Sequence, residues 1–503
     1  MALGLAEWSP VGQQGIVFDM TVPGAWEKVA ADYTLDRPDA PLERVFEIAR
    51  LHGTVTIVKE PRYIDADWRS QLARFYSGNF RRFPSVCHRL HFFTEKVPRD
   101  LADLHGLQQA YRGYTVLRPL PLAPVGKTMI APPPELRDAA RCECNETIDL
   151  FGWPFTIRAM PFISQDTQFL RCAHAALWMV LTHVHFEHGL PRRLPADIHD
   201  AATGGVMVGR QLPSDGLSGY QLFSAMTTLK LSPTNKPLPQ TAADDEGAGS
   251  LRLFGMVCRH INSALPPIVI SESHAWVVVA YARRGTVENP MIQLWRHDDA
   301  RGPYMPVGNP WAEPEKAHQP WVSVYLPLPP KSYIDAERAE LVGRAWVDQL
   351  SSSGVCTGTT LEVANKRPHP HDQATVRTYL TRSSAFKQGL AARGVPEQLA
   401  IALRLSPMSR YIWVIEVVDR ERRRAGLPDV LGEVILDATL TQFEPLSDPA
   451  SVMALHVDNF AFITGVDQAP AVRPSLPVGV IYGSGCPVLP PGLTTSGQPA
   501  NRS

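Results

Sequence analysis

The sequence predicts an α+β protein of more than one domain, and three observations predict it. Its 503 residues exceed what one core organises, at roughly 100–200 residues per domain. Hydrophobic residues make up 44% and charged residues 20%, the balance of an ordered globular chain. Helical and strand-forming segments also come in blocks, helix first and strands after, which is the α+β pattern. The 46 prolines, about twice average usage, favour irregular connections and limit long helices.

Residues 1 to about 40 carry Gly, Pro and acidic residues without clear periodicity. Pro41–Leu51 reads as a helix stopped by Gly53, and Thr54–Lys59 (TVTIVK) as a strand. Tyr63–Phe80 reads as a helix with Trp68, Leu72 and Phe75 on one face. Tyr114–Leu117, Lys127–Ala131 and Thr147–Met160 read as strands bounded or interrupted by prolines, completing an N-terminal α+β accessory region, 1–150. The second region, 151–330, opens with a loop, enters an apolar helix at Cys172, and continues with strands Pro267–Ile270, Ala275–Ala282 and Met291–Arg296. Leu326–Lys331 (LPLPPK) reads as a stiff linker. A C-terminal α+β accessory region, 331–468, holds an amphipathic helix at Ile334–Leu350 and strands at Tyr411–Asp419, Leu431–Ala438 and Ala454–Ile463. The Pro/Gly/Ser-rich stretch 469–503 reads as a partly disordered tail. There is no internal repeat.

Charge excludes some function classes. Lys plus Arg is 49 and Asp plus Glu is 50, so neither a global basic surface for nucleic acid nor an acidic tail is expected. The seven cysteines (Cys87, Cys142, Cys144, Cys172, Cys258, Cys356 and Cys486) are odd in number and scattered, unlike a disulfide framework. The first residues lack a basic segment followed by an apolar run, so no secretory leader is expected. No segment reaches the run of about 18 apolar residues that a spanning helix needs. A cytoplasmic location without membrane partners follows as the expectation, and each cysteine is first of all a thiol.

Chemistry concentrates in Ser164–Leu181, SQDTQFLRCAHAALWMVL. A polar loop with Gln165 and Gln168 leads to Cys172, followed by Ala173, Ala175, Ala176 and an apolar helical run. A thiol in the first turn of a helix sits at the positive end of the macrodipole, which favours the nucleophilic thiolate. A cysteine nucleophile needs a base, and the base needs an orienting group. His274 opens the apolar strand HAWVVVAY about a hundred residues later, and a further strand ends in Asp298–Asp299 before a turn at Arg301–Gly302–Pro303.

RCAHAALWM with an upstream Gln, then HAWVVVAY, then HDD-x-x-GPY, resembles the papain-like cysteine peptidases. The closest flavour is the compact bacterial group that includes the peptidase domains of bacteriocin-processing transporters. The resemblance covers about a third of the chain. It implies a papain-like domain with the nucleophile on a central helix packed on an antiparallel sheet. It implies a Cys172–His274–Asp298 triad, with Asp299 as the alternative acid. Gln165 becomes the oxyanion donor beside the Cys172 amide, with Gln168 as its competitor. Asp215–Leu229 resembles that group's second helix, with Ser218 as N-cap. The chain departs from the pattern in having Ala173 where the bacteriocin-processing enzymes usually have Gly, and Gln165 seven rather than six residues before Cys172. No transporter membrane domain accompanies it.

The implied function is hydrolysis of a peptide or amide bond in a protein or peptide substrate through a thioester, with no cofactor or metal. The alternatives are acyl transfer or deamidation with the same triad, and a catalytically inactive scaffold that binds proteins. The flanking regions are candidates for protein partners. Three other patterns carry weaker chemistry. His183-x-His185-x-x-His188, Cys142-x-Cys144 and Pro368-His-Pro-His-Asp372 lack metal-site spacing. The run Asn79–Phe93 (NFRRFPSVCHRLHFF) mixes charge with aromatics as RNA-binding surfaces do, but in a neutral chain it reads as a half-buried surface with solvated charges.

Overall fold

Local capping signals open the chain. After β1 (Val17–Asp19) and the short helix α1 (Ala25–Ala31), Asp39 caps α2 (Ala40–Leu51). Its side chain accepts from the Leu42 amide at 2.9 Å, and Pro41 lies in the first turn, where a missing N–H leaves nothing unpaired. This computed structural model describes residues 17–34, 39–98, 101, 104–166, 168–204, 216–237, 246–271, 274–285, 290–307, 321–352, 374–390, 395, 397–419, 430–440, 452–457, 460–464 and 470–472. The protein is mixed α+β with several antiparallel sheets.

β2 (Thr56–Tyr63) continues to Tyr63, which still pairs with Cys87. The helix expected over Tyr63–Phe80 is therefore shorter. Asp65 caps α3 (Ala66–Gln71) through the Trp68 amide at 2.7 Å, and one π turn, Leu72–Tyr76, follows.

The run expected to be a solvated surface instead contains an interior strand, β3 (Cys87–Phe93). Leu90, Phe92 and Phe93 are fully buried, and Arg89 is only 4% exposed. Arg89 survives inside because Glu60 accepts from its Nε at 2.7 Å and the Tyr63 and Tyr114 rings flank its guanidinium. β4 (Tyr111–Leu117) and β5 (Val125–Ile130) complete a five-stranded antiparallel sheet in the order β1-β2-β3-β4-β5.

After the short β6 (Ala140–Arg141), the segment read as one strand over Thr147–Met160 is a hairpin of β7 (Cys144–Leu150) and β8 (Trp153–Ala159). Phe151 (φ 53°) and Gly152 (φ 94°) form its two-residue turn, the left-handed geometry such hairpins require.

The chain divides into two compact units. The first comprises Met1–Gln240, Pro266–Ala282 and Gln293–Leu326; the second comprises Thr241–Leu265, Arg283–Ile292 and Pro327–Ser503. In the first unit, α4 (Cys172–His188) is buried nearly all round and packs against α5 (Pro195–Thr203), α6 (Gly219–Thr228), β7 and, further along the chain, the strand Ile268–Ser271. Ser218 caps α6 reciprocally with Gln221, as its sequence position predicts. Beyond β9 (Ser232–Pro237) and α7 (Glu246–Asn262) come β10 (Ile268–Ser271), β11 (Ala275–Gly285), β12 (Pro290–Asp298), β13 (Gly302–Val307) and β14 (Trp321–Leu328). They form a sheet in the order β13-β12-β11-β10-β14-β9, with β6 added alongside β11. The stretch read as a linker from Leu326 begins inside β14: Leu326 and Leu328 are buried, because the alternating leucines face the core and only the consecutive prolines end the strand.

The second unit is built on a six-stranded antiparallel meander. α8 (Ala336–Ser352) precedes β15 (Ala374–Arg382), α9 (Ser383–Gly389), α10 (Glu397–Leu405), β16 (Tyr411–Asp419), β17 (Val430–Asp437), β18 (Val452–Val457), β19 (Phe460–Thr464) and β20 (Pro470–Val472). α7 and α8 cover one face, where Glu340 accepts from Thr378 Oγ1 at 3.0 Å and chelates Arg259. α9 and α10 pack on the other with Tyr379, Ile412 and Val414. Pro470–Val472 thus extends a sheet where a tail was expected to begin; the rest of that tail lies outside the described residues.

Candidate active site

Cys172 begins α4, with Arg171 in extended conformation before it and the helix closed at Gly189. The thiol is half-buried, at the end of the helix where unpaired amides point outward. Its placement depends on the preceding loop, and that loop is organised by Asp166, to which the sequence reading gave no role. Asp166 Oδ1 accepts from the amides of Gln168, Phe169 and Leu170 at 2.9, 2.7 and 2.8 Å, while Oδ2 accepts from Tyr76 Oη at 2.9 Å. Arg118, buried behind the loop, donates to Ser164 Oγ at 3.0 Å and to the carbonyls of Ser164 and Gln165 at 3.1 and 3.4 Å.

His274 stands where β10 turns into β11. Its carbonyl accepts from the Ser271 amide at 2.9 Å and from Ser271 Oγ at 3.0 Å, which closes the hairpin and aims the ring. Its Nε2 is 3.0 Å from Asp298 Oδ1 and 3.6 Å from Asp299 Oδ1, and the Cys172 side chain lies within hydrogen-bonding reach of the ring. With Nε2 committed to the acids, Nδ1 is the nitrogen left for the thiol. Burial opposes protonation of the ring. The hydrogen bonds to Asp298 and Cys172 and the two carboxylate charges outweigh it and push the imidazole up to about 10.

Asp298 ends β12 and Asp299 starts the turn. Burial disfavours the Asp298 charge, but His274, Arg296 and the Ala300 amide hold the carboxyl below its usual range. Arg296 Nη2 lies 3.0 Å from Asp298 Oδ2, and its guanidinium lies over the Trp276 ring. The turn is clamped from α2: Arg44 donates to the carbonyls of Pro303 and Tyr304 at 3.2 and 2.9 Å. Gly302 (φ 126°) packs so closely on Arg44 that a Cβ there would fall 2.6 Å from the Arg44 Cβ. The glycine at 302 is thus explained by shape.

The structure brings Cys172, His274, Asp298 and Asp299 together across α4, β11 and β12. Gln165 is half-buried and Gln168 exposed; among the described residues neither side chain hydrogen-bonds Cys172. Tyr76 and Arg118 were missed because their partners are distant in sequence; Asp166 and Arg296 act on neighbours two to four residues away, where only the short polar Ser-Gln-Asp run hinted at an anchored loop. His274, Asp298 and Asp299 offer ligand atoms within 4.8 Å of one another, a donor set able to hold a divalent cation, although the Arg296 guanidinium beside Asp298 opposes one. His183, His185 and His188 form no such set among the described residues, and His185 Nδ1 pairs with the Leu190 carbonyl at 2.6 Å. Cys142 and Cys144 are buried, and burial pushes both thiols well up. The 368–372 segment lies outside the described residues. Among the described residues no helix is long and apolar enough to cross a membrane. No family model matches the chain, and no curated protein matches it in sequence.

Proposed function

We propose that the protein is a papain-like cysteine peptidase, a thiol hydrolase cleaving a peptide or amide bond. The observation that carries this reading is His274, which pairs with Asp298 through Nε2 and has the thiol of Cys172 within reach. Cys172 attacks the carbonyl carbon and its proton passes to His274. His274 returns that proton to the departing amine, leaving a thioester that water hydrolyses. Asp298 orients the ring and stabilises its cation. The Cys172 amide and the Gln165 side chain, with Gln168 as the alternative, bind the oxyanion, each donor contributing about 3 kcal/mol. The step needs no cofactor. Five thiols with no disulfide among the described residues support a reducing, cytoplasmic setting.

Alkylation tests the nucleophile. Iodoacetamide should label Cys172 faster than the other thiols, and Cys172→Ala should abolish both fast labelling and turnover of protein substrates. A Cys172→Ala variant that keeps its activity refutes the assignment. Product mass separates cleavage from deamidation, which adds about one dalton, and from amine transfer. Fast labelling with no product on any substrate would favour a binding scaffold.

A further inference from the structure

The His274 ring stands between two buried carboxylates that are unequally partnered. Asp298 Oδ1 is 3.0 Å from Nε2 and also accepts from the Ala300 amide at 3.1 Å, while Oδ2 pairs with Arg296 at 3.0 Å. Asp299 Oδ1 is 3.6 Å from the same nitrogen, and among the described residues neither Asp299 oxygen accepts a hydrogen bond from another residue. A strand points consecutive side chains to opposite faces. Asp298 and Asp299 reach one ring only because β12 ends between them and the turn begins at Asp299.

A buried carboxylate without donors is costly and needs a counter-charge. The charged and titratable groups around it are His274 at the start of β11, Arg296 and Asp298 on β12, Arg301 in the turn near Arg296, and Cys172 beyond the ring. Two carboxylates and the Arg296 guanidinium leave one negative charge uncompensated, and an imidazolium at His274 neutralises it. A divalent cation would overshoot.

We propose that Asp299 is a second positioning acid, which stabilises the His274 imidazolium beside Cys172. This rests on the Cys172–His274–Asp298 reading. Burial pushes Asp299 up to about 7 while the His274 charge pulls it down, so this acid ionises near neutrality and its hold on the imidazolium strengthens as it does.

The test compares alkylation of Cys172 by iodoacetate and iodoacetamide from pH 5 to 11 in the full chain. An adjacent imidazolium favours the anionic reagent, so the rate ratio falls when the ring loses its proton. Asp299→Asn should move that fall down by about one pH unit, and Asp299→Glu should restore it. An unchanged fall in folded Asp299→Asn overturns the proposal while leaving the triad intact. A His274→Ala variant with the wild-type ratio at every pH overturns the triad, and the proposal with it. Should Asp299→Asn not fold, the wild-type His274 ring titration by NMR decides. A midpoint well above 7 is expected, and one at or below the ordinary histidine value overturns it.

Discussion

Tyr76 and Asp166 lie 90 residues apart, and the 2.9 Å hydrogen bond from the Tyr76 hydroxyl to Asp166 Oδ2 ties the π turn after α3 to the loop that delivers Cys172. Asp166 spends its other oxygen on three consecutive loop amides. One carboxylate therefore determines both where the loop sits and how it curls.

Asp166→Ala should be the more damaging change at this junction. It leaves buried donors unpaired and should cost about 2–3 kcal/mol, whereas Tyr76→Phe removes a single bond and should cost about 1 kcal/mol. Urea denaturation measures both. Iodoacetamide labelling of Cys172 should slow more in Asp166→Ala than in Tyr76→Phe, since only the former frees the loop backbone.

Acid sensitivity should come from His174, two residues after Cys172. Its ring is 1% exposed, stacks against His199, and finds no hydrogen bond for either nitrogen among the described residues. Burial, helped by His199, lowers it to about 3. The unfolded chain binds a proton near the ordinary value of about 6.5 while the folded chain does not. The stability held above that value is therefore lost as pH falls from it towards about 3. His174→Leu removes the titration and the unpaired nitrogens together. Thermal melts should show a stability equal to or above wild type at pH 7, with a shallower decline towards pH 4.

Gly302→Ala should disrupt the acid end of the site. The left-handed φ of 126° and the 2.6 Å approach to the Arg44 Cβ act together. Strain and overpacking should total about 2–4 kcal/mol. Arg44→Ala should not rescue it, because alanine keeps the clashing Cβ. Since Gly302 pairs with Asp298 in the β12–β13 ladder, the Asp298–His274 distance should also change, read as a drop in the Cys172 labelling rate.

The second unit offers a prediction independent of the site. Arg377 and Glu416 face each other across β15 and β16 as a buried ion pair, and Tyr379 Oη donates to Glu416 at 2.9 Å. Arg377→Met strands a buried carboxylate and should cost about 3–5 kcal/mol, while Arg377→Met with Glu416→Leu should recover most of the loss. A double-mutant cycle on urea midpoints gives the coupling.

The sequence by itself determined the elements whose signals are local. Cys172 at the head of an apolar helix, His274 before an all-apolar strand, Ser218 with Gln221 at the head of α6, and a strand ending at Asp298 were legible because capping and periodicity act within a few residues. Tertiary structure alone decided what depended on distant partners. Arg89 became an interior residue through Glu60, the Asp149 carbonyl and two tyrosine rings, so its strand looked like a charged surface. Gly152 made two strands of one through its backbone angle, which composition around it disguised. The choice between Asp298 and Asp299 could not be read either. Both reach His274 because β12 stops between them; Arg296, two residues earlier on the same strand, partners Asp298, and Arg44, brought in by α2, fixes the turn. Local pattern specifies which residues form a helix or strand; burial of charge and the register between strands specify which of them meet.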